Sequence, residues 1–305
     1  MNLSTALSLS LGEVSDPVIT RYRLGLIVFG LYSAKSYRGE KLQHLKREAA
    51  GTGEFNRCLA ELEGTGVLKS HPDFTGRVFR LLGRRDEDAA EVACTVDPFC
   101  YVSHLSAMAH HGLTDRLPVK LFLSSPPLRE WQDEAATRMK QDLGDDLVLY
   151  EQSGMPLLTR TKMSKIGRKE LQFFHSKHRG AYKNVKGSPL RVSTLGRTFL
   201  DMLRNPELCG GMHHVIRVYQ DHAGSYLRLI TDELEQHGAP IDKVRAGYLL
   251  DELIGLKNDT VEGWVQFAQR GGSRKLDASA EYRPVWSDKW ALSLNVEGLK
   301  GEGAA

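Results

Sequence analysis

Residues 52–81 read TGEFNRCLAELEGTGVLKSHPDFTGRVFRL, and the fold turns on what this stretch forms. Phe55, Leu59 and Leu62 stand at i, i+4 and i+7, the spacing of one apolar helix face, with Thr52 placed to cap it. A short apolar run follows, then a turn rich in breakers, His71-Pro72-Asp73 and Thr75-Gly76, then alternation from Arg77 to Leu81. That order predicts a helix leading into a β-hairpin.

Towards the N-terminus, residues 16–34 carry Val18, Ile19, Tyr22, Leu26, Phe29 and Tyr32 at helical spacing, with Asp16 as N-cap and Pro17 at the first helical position. Tyr37–Ala50 offers Leu42, Leu45 and Ala49 on one face of a second helix. Three helices and a hairpin in this order predict a winged helix-turn-helix over residues 15–85, a module that binds DNA or serves as a protein-interaction unit. Thr52, Asn56 and Arg57 then face bases or phosphates, and Lys69, Arg77 and Arg80 form the wing contacts. Glu54 either joins the first group or complements the positive end of the helix.

The chain has 305 residues, enough for two domains, and its 41% hydrophobic and 26% charged composition is that of a globular protein. The longest apolar patch, Leu24–Tyr32, is short and interrupted by Gly25 and Gly30, so no bilayer span is expected. No Lys or Arg precedes the weakly apolar start, which argues against a secretory signal and for a cytoplasmic location. Cys58, Cys94, Cys100 and Cys209 lack metal-finger spacing and are expected as reduced, buried thiols.

The net charge of +3 conceals blocks. Residues 35–85 hold eleven Lys/Arg against six acids, 86–97 hold five acids and no base, and 156–191 hold ten Lys/Arg against one acid. Residues 86–98 are therefore expected to be an acidic linker or short connecting helix, followed by a larger mixed α/β domain at 99–298 and a flexible tail at 299–305. The expected fold class is α+β. Within the second domain the pattern predicts helices from Ser103 and over 126–143, strands at 119–125, 145–152 and 157–174, four helical segments between 191 and 256, and a last strand at 290–296. Arg160, Lys162, Lys165, Arg168, Lys169, Lys177, Arg179, Lys183 and Lys186 form a second basic surface, suited to phosphates or to an acidic partner. Phe173, Phe174 and Tyr182 are too few for a dedicated single-strand stacking platform.

The histidine-rich stretch 100–118, CYVSHLSAMAHHGLTDRLP, raises metal or Ser-His chemistry. Ser103 and Gly112 fit the two ends of a helix, and His104 and His111 share a face without an H-E-x-x-H pattern or a third ligand. No nucleophile elbow, P-loop or dinucleotide fingerprint occurs, and the pattern implies no catalytic residue, metal or cofactor. Asp201, Asp232, Glu233 and Glu235 read as solvated acids or partners for Arg197 and Arg204. Gly271-Gly272-Ser273-Arg274-Lys275 reads as a tight turn, with an anion cradle as its alternative.

Three segments, 101–118, 191–219 and 270–295, resemble the AbiEi family, the antitoxins of type IV toxin-antitoxin systems in abortive phage infection. In that family the segment matching YVSHLSAMAHHGLT is a strand-to-helix corner of the antitoxin domain. The resemblance implies an autoregulatory repressor that binds inverted repeats in its own promoter as a monomer or dimer. It also implies an antitoxin opposing a nucleotidyltransferase-like toxin without a stable complex. Regulators of this layout also stand beside defence operons that lack the toxin. The other alternative is a nuclease with a restriction-endonuclease-like second domain, which needs an E-x-K pair; none occurs there.

Overall fold

The computed structural model describes residues 1–45, 47–83, 88–175, 181–269 and 274–299. The chain opens with helix α1 (Leu3–Gly12), which residue periodicity alone had not flagged. Asn2 caps it through Oδ1, accepting the Thr5 N–H at 2.8 Å, and Leu3, Ala6, Leu7 and Leu11 are its buried stripe. Strand β1 (Val18–Thr20) then precedes α2 (Arg21–Ala34), so the helix expected to start at Pro17 after an Asp16 cap begins four residues later. Thr20 is the cap, accepting the Arg23 N–H at 3.2 Å. The residues before it are drawn into a sheet, where their backbone groups find partners.

No helix forms over Tyr37–Ala50. Strands β2 (Ser36–Tyr37) and β3 (Glu40–Lys41) make a hairpin whose two-residue loop, Arg38-Gly39, has φ of 47° and 85°. Two positive φ values are what a tight hairpin turn of this handedness demands, and Gly39 supplies one without strain. Helix α3 (Thr52–Gly64), strand β4 (Leu68–Ser70) and strand β5 (Val78–Leu81) follow as expected. β1, β5 and β4 form a three-stranded sheet in that order, with Ile19 opposite Phe79 and Leu68 opposite Leu81.

The acidic segment is not a bare linker. Asp88 caps helix α4 (Ala89–Val96) by accepting the Ala90 and Glu91 N–H groups at 2.7 and 3.1 Å. Val92, Ala93, Cys94 and Val96 are buried, and α4 packs against β1. Strand β6 (Tyr101–Val102), helix α5 (His104–His110), strand β7 (Leu121–Ser125) and helix α6 (Leu128–Leu143) come next. Residues 145–152, expected as a strand, form a 3-10 turn and helix α7 (Leu147–Gln152), with Tyr150 buried. Strands β8 (Lys165–Ile166), β9 (Lys169–His175), β10 (Tyr182–Asn184) and β11 (Arg191–Ser193) complete a mixed six-stranded sheet of order β10-β11-β6-β7-β9-β8.

Helix α8 (Leu195–Arg204) is followed by α9 (Met212–His237), a single helix where two segments were expected. Helix α10 (Pro240–Gly247) runs into a π-helical turn, Tyr248–Leu253, and α11 (Asp259–Gly263) follows. The last strands, β12 (Trp286–Ser287) and β13 (Leu292–Ser293), pair antiparallel; β13 is far shorter than the expected strand at 290–296. The fold is α+β.

Two compact units divide the chain differently from the expected boundaries at 85 and 98. Unit 1 comprises Met1–Tyr101, Ser124–Lys177 and Asn184–Arg191; unit 2 comprises Val102–Leu123, His178–Lys183 and Val192–Ala305. The core of unit 1 joins Leu7, Phe29, Phe55, Leu62 and Phe79 from the first hundred residues to Tyr150 and Met155. Tyr150 meets Phe29 edge-on at 5.1 Å, and its hydroxyl donates to the Pro156 carbonyl at 2.8 Å. The core of unit 2 is built on Phe199, Tyr219, Leu249, Trp264 and Trp290. All four cysteines are free and buried.

Candidate nucleic-acid interface

Helix α3 starts in a crowded corner of unit 1. The Thr52 N–H donates to the Ser153 carbonyl at 3.1 Å, and the Thr52 hydroxyl donates to the Gly154 carbonyl at 2.8 Å. Gly154 has φ of 69°, and a Cβ there would stand 2.5 Å from the Thr52 Oγ1, so only glycine allows this approach. Thr52 is thereby withdrawn from the expected set of base-facing residues. Glu54 accepts the Gly51 N–H at 3.2 Å, which selects its capping role. Burial works against ionising Glu54, but the backbone amides of Glu54 and Gly51 and the Arg47 charge together hold its carboxyl below the usual range.

Asn56 and Arg57, one turn further on, are exposed. Asn56 is joined to the hairpin by Arg21, the first residue of α2, which was not among the expected contact residues. Its guanidinium lies 5.0 Å from the Phe55 ring centroid and donates to the Asn56 Oδ1 at 3.5 Å and to the Gly76 carbonyl at 3.3 Å. The Arg21 N–H also donates to the Arg77 carbonyl at 3.0 Å. Asn56 and the backbone at Gly76 and exposed Arg77 are thus joined by an arginine placed first in α2, with Arg57 next to Asn56 in sequence.

Lys69 and Arg80 belong elsewhere. They are cross-strand partners in register with Val18, so they share the sheet face opposite to the one where Ile19 and Phe79 meet Phe55. Lys69 is exposed and Arg80 half-buried, and neither points towards α3.

The second basic block divides in the same way. The turn between β4 and β5 holds Asp73, whose carboxylate accepts the Gly167 N–H at 2.7 Å. Gly167 is the tip of the β8–β9 hairpin, with φ of 57°, so this bond fixes exposed Lys165 and Arg168 and half-buried Lys169 near the β4–β5 turn. Arg160 and Lys162 line a separate groove. Lys183 in β10 and Lys186 just after it are exposed, while Lys177, Arg179 and the Gly271-Gly272-Ser273 turn lie outside the described residues.

The histidine stretch is tied into the fold by hydrogen bonds. Ser103 precedes α5, but its hydroxyl pairs with the His104 Nδ1 at 2.8 Å, and both residues are completely buried. The His111 Nε2 donates to the Ser193 carbonyl at 2.7 Å, Gly112 has φ of 67° past the helix end, and His110 is exposed. His214 pairs with the Thr114 hydroxyl at 2.9 Å. Burial lowers the imidazole pKa of His104, His111 and His214 below the ordinary 6.5. Their contribution to stability is complete above pH 6.5 and is lost as pH falls towards the lowered folded values, because the unfolded chain binds protons the folded chain refuses. Unfolding free energy from urea titrations is therefore expected to be smaller at pH 5.5 than at pH 7.5, with a shallower decline in His104→Gln. A flat or rising profile would contradict burial of neutral imidazoles.

No protein-family model matches the chain, and no curated protein matches it. Among solved structures, the RV2827C protein from Mycobacterium tuberculosis is similar with a TM-score of 0.48 and 12% identity, over 95% of this chain and 90% of that chain. Among the described residues no helix is long and apolar enough to cross a membrane.

Proposed function

We propose that the protein is a DNA-binding transcriptional repressor acting on inverted repeats in its own promoter, and that it doubles as an antitoxin. The antitoxin half rests on the likeness of 101–118, 191–219 and 270–295 to the AbiEi family; a defence-operon regulator without a toxin is the narrower form of the same reading. The DNA half draws on element order. Leaving aside the β2–β3 hairpin inserted between α2 and α3, the order α1, β1, α2, α3, β4, β5 with sheet order β1-β5-β4 supports a winged-helix reading, in which α3 would enter the major groove and the β4–β5 turn would track phosphates.

The observation that carries it is the Asp73–Gly167 bond, which sets a second cationic hairpin beside the wing. This matters because α3 itself holds Glu54, Glu61 and Glu63 against Arg57 alone. Base reading is left to Asn56 and Arg57, and phosphate affinity must come from Arg77, Lys165 and Arg168. In a gel shift on duplex carrying the inverted repeat, Arg57→Ala with Arg77→Ala is expected to weaken binding about 10- to 100-fold. Unchanged binding would reject the assignment. Lys165→Ala with Arg168→Ala should reduce the log–log salt slope by about 2 without altering sequence preference. Thr52→Val should leave the shift intact, since its hydroxyl already serves the Gly154 carbonyl.

A further inference from the structure

A groove of about 440 Å³ opens in unit 1 beside the junction of β7 and α6, within the size range of small-molecule sites. One wall is cationic. Arg160 is half-buried, Lys162 is exposed, and His175 ends β9 next to them. The Arg160 Nη2 donates to the Ser125 hydroxyl at 3.4 Å and to the His175 Nδ1 at 3.3 Å, both long, neutral contacts. The acid nearest in the lining, Asp97, is already engaged. It accepts the Ser125 hydroxyl at 2.9 Å, the Trp131 Nε1–H at 2.8 Å and the Phe99 N–H at 3.0 Å. Among the described residues no carboxylate forms a salt bridge with Arg160.

A guanidinium set into a concave wall with only a hydroxyl and an imidazole as partners keeps donors for an anion. The Nδ1 of His175 accepts from Arg160, so its Nε2 carries the proton and adds a donor. Helix α6 begins at this wall with Leu128, and no side chain caps its N-terminus. The rest of the lining is Leu128, Met163 and Phe173, with Thr161 as its one further polar residue. An anionic end against a flat apolar flank is the pattern of a phosphate ester bearing an aromatic ring. We propose that this groove binds a 5′-nucleotide, its phosphate on Arg160 and Lys162 and its base against Phe173 and Met163. The site goes beyond the DNA reading, for none of Arg57, Arg77, Lys165 and Arg168 lines it.

The test is fluorescence anisotropy of N-methylanthraniloyl adenosine 5′-monophosphate with the full chain. Saturable binding is expected, with Kd raised at least about tenfold in Arg160→Ala with Lys162→Ala. Arg160→Gln, checked for a wild-type melting temperature, repeats the measurement in a variant that keeps the wall's volume. Phe173→Leu should weaken competition by adenosine 5′-monophosphate and leave competition by inorganic phosphate unchanged. Competition by a 5′-phosphorylated single-stranded oligonucleotide at least equal to that of the mononucleotide would assign the site to a nucleic-acid end; weaker competition would assign it to the free nucleotide. Absence of saturable binding, binding indifferent to Arg160 and Lys162, or equal displacement by unphosphorylated adenosine would overturn the proposal. Arg57→Ala with Arg77→Ala should bind the nucleotide as wild type does, so this result and the duplex result stand or fall separately.

Discussion

Arg197→Met is expected to destabilise unit 2 by about 3–5 kcal/mol, the usual cost of stranding one member of a buried ion pair. The Arg197 Nε lies 2.7 Å from the Asp201 Oδ1 one turn along α8, and both side chains are only 2% exposed. Methionine matches the length of the arginine stem but leaves the Asp201 charge without its cation among Phe199, Leu200 and Met202. Arg197→Met with Asp201→Leu should recover most of the loss, because two packed apolar groups can replace such a pair at little net cost. Urea unfolding followed by tryptophan fluorescence reads this directly, since Trp264 and Trp290 are buried in unit 2. A single-variant loss below about 1 kcal/mol would mean that the pair behaves like a solvent-screened one.

That pair also marks the limit of what the sequence reveals. Asp201 could be matched with Arg197 or Arg204 from spacing alone. The structure gives Asp201 to Arg197 and sends Arg204 to Asp242, at 2.8 Å, and to the His237 carbonyl, at 2.7 Å. Spacing sees partners on one helix, whereas the choice is made by α10, which lies 38 residues further on. The same blindness explains the N-terminal region. Helix α3 and its hairpin were legible because their apolar period and turn residues are local signals. Tyr37–Ala50 failed because Leu42 and Ala50 are buried from a short hairpin and irregular chain, and burial of this kind imitates helical spacing. Residues 145–152 failed in the opposite direction: Leu147, Val148 and Leu149 look like a strand, but a helix there buries Tyr150 against Phe29. Of the candidate interface, the cations were legible by type, but not Arg21 and Asp73, whose roles depend on a turn and a hairpin meeting across more than fifty residues of chain.

Trp290→Ala should cost about 3–5 kcal/mol, the range for removing a large aromatic ring from a packed core. The ring is fully buried in unit 2 and lies directly on the backbone of α10. A Cβ added to Gly247 would come within 2.2 Å of two ring carbons, so helix and ring are in contact only because residue 247 has no side chain. Gly247→Ala alone is therefore expected to destabilise by about 1–3 kcal/mol through overpacking, despite alanine's better helix propensity. The two effects must be coupled. In Trp290→Leu the clash is relieved, and adding Gly247→Ala to that variant should cost less than adding it to the wild type, by roughly 1 kcal/mol or more in a double-mutant cycle. Additive losses would show that α10 and the ring move apart without strain, and that the approach at Gly247 is not what fixes α10 in the core.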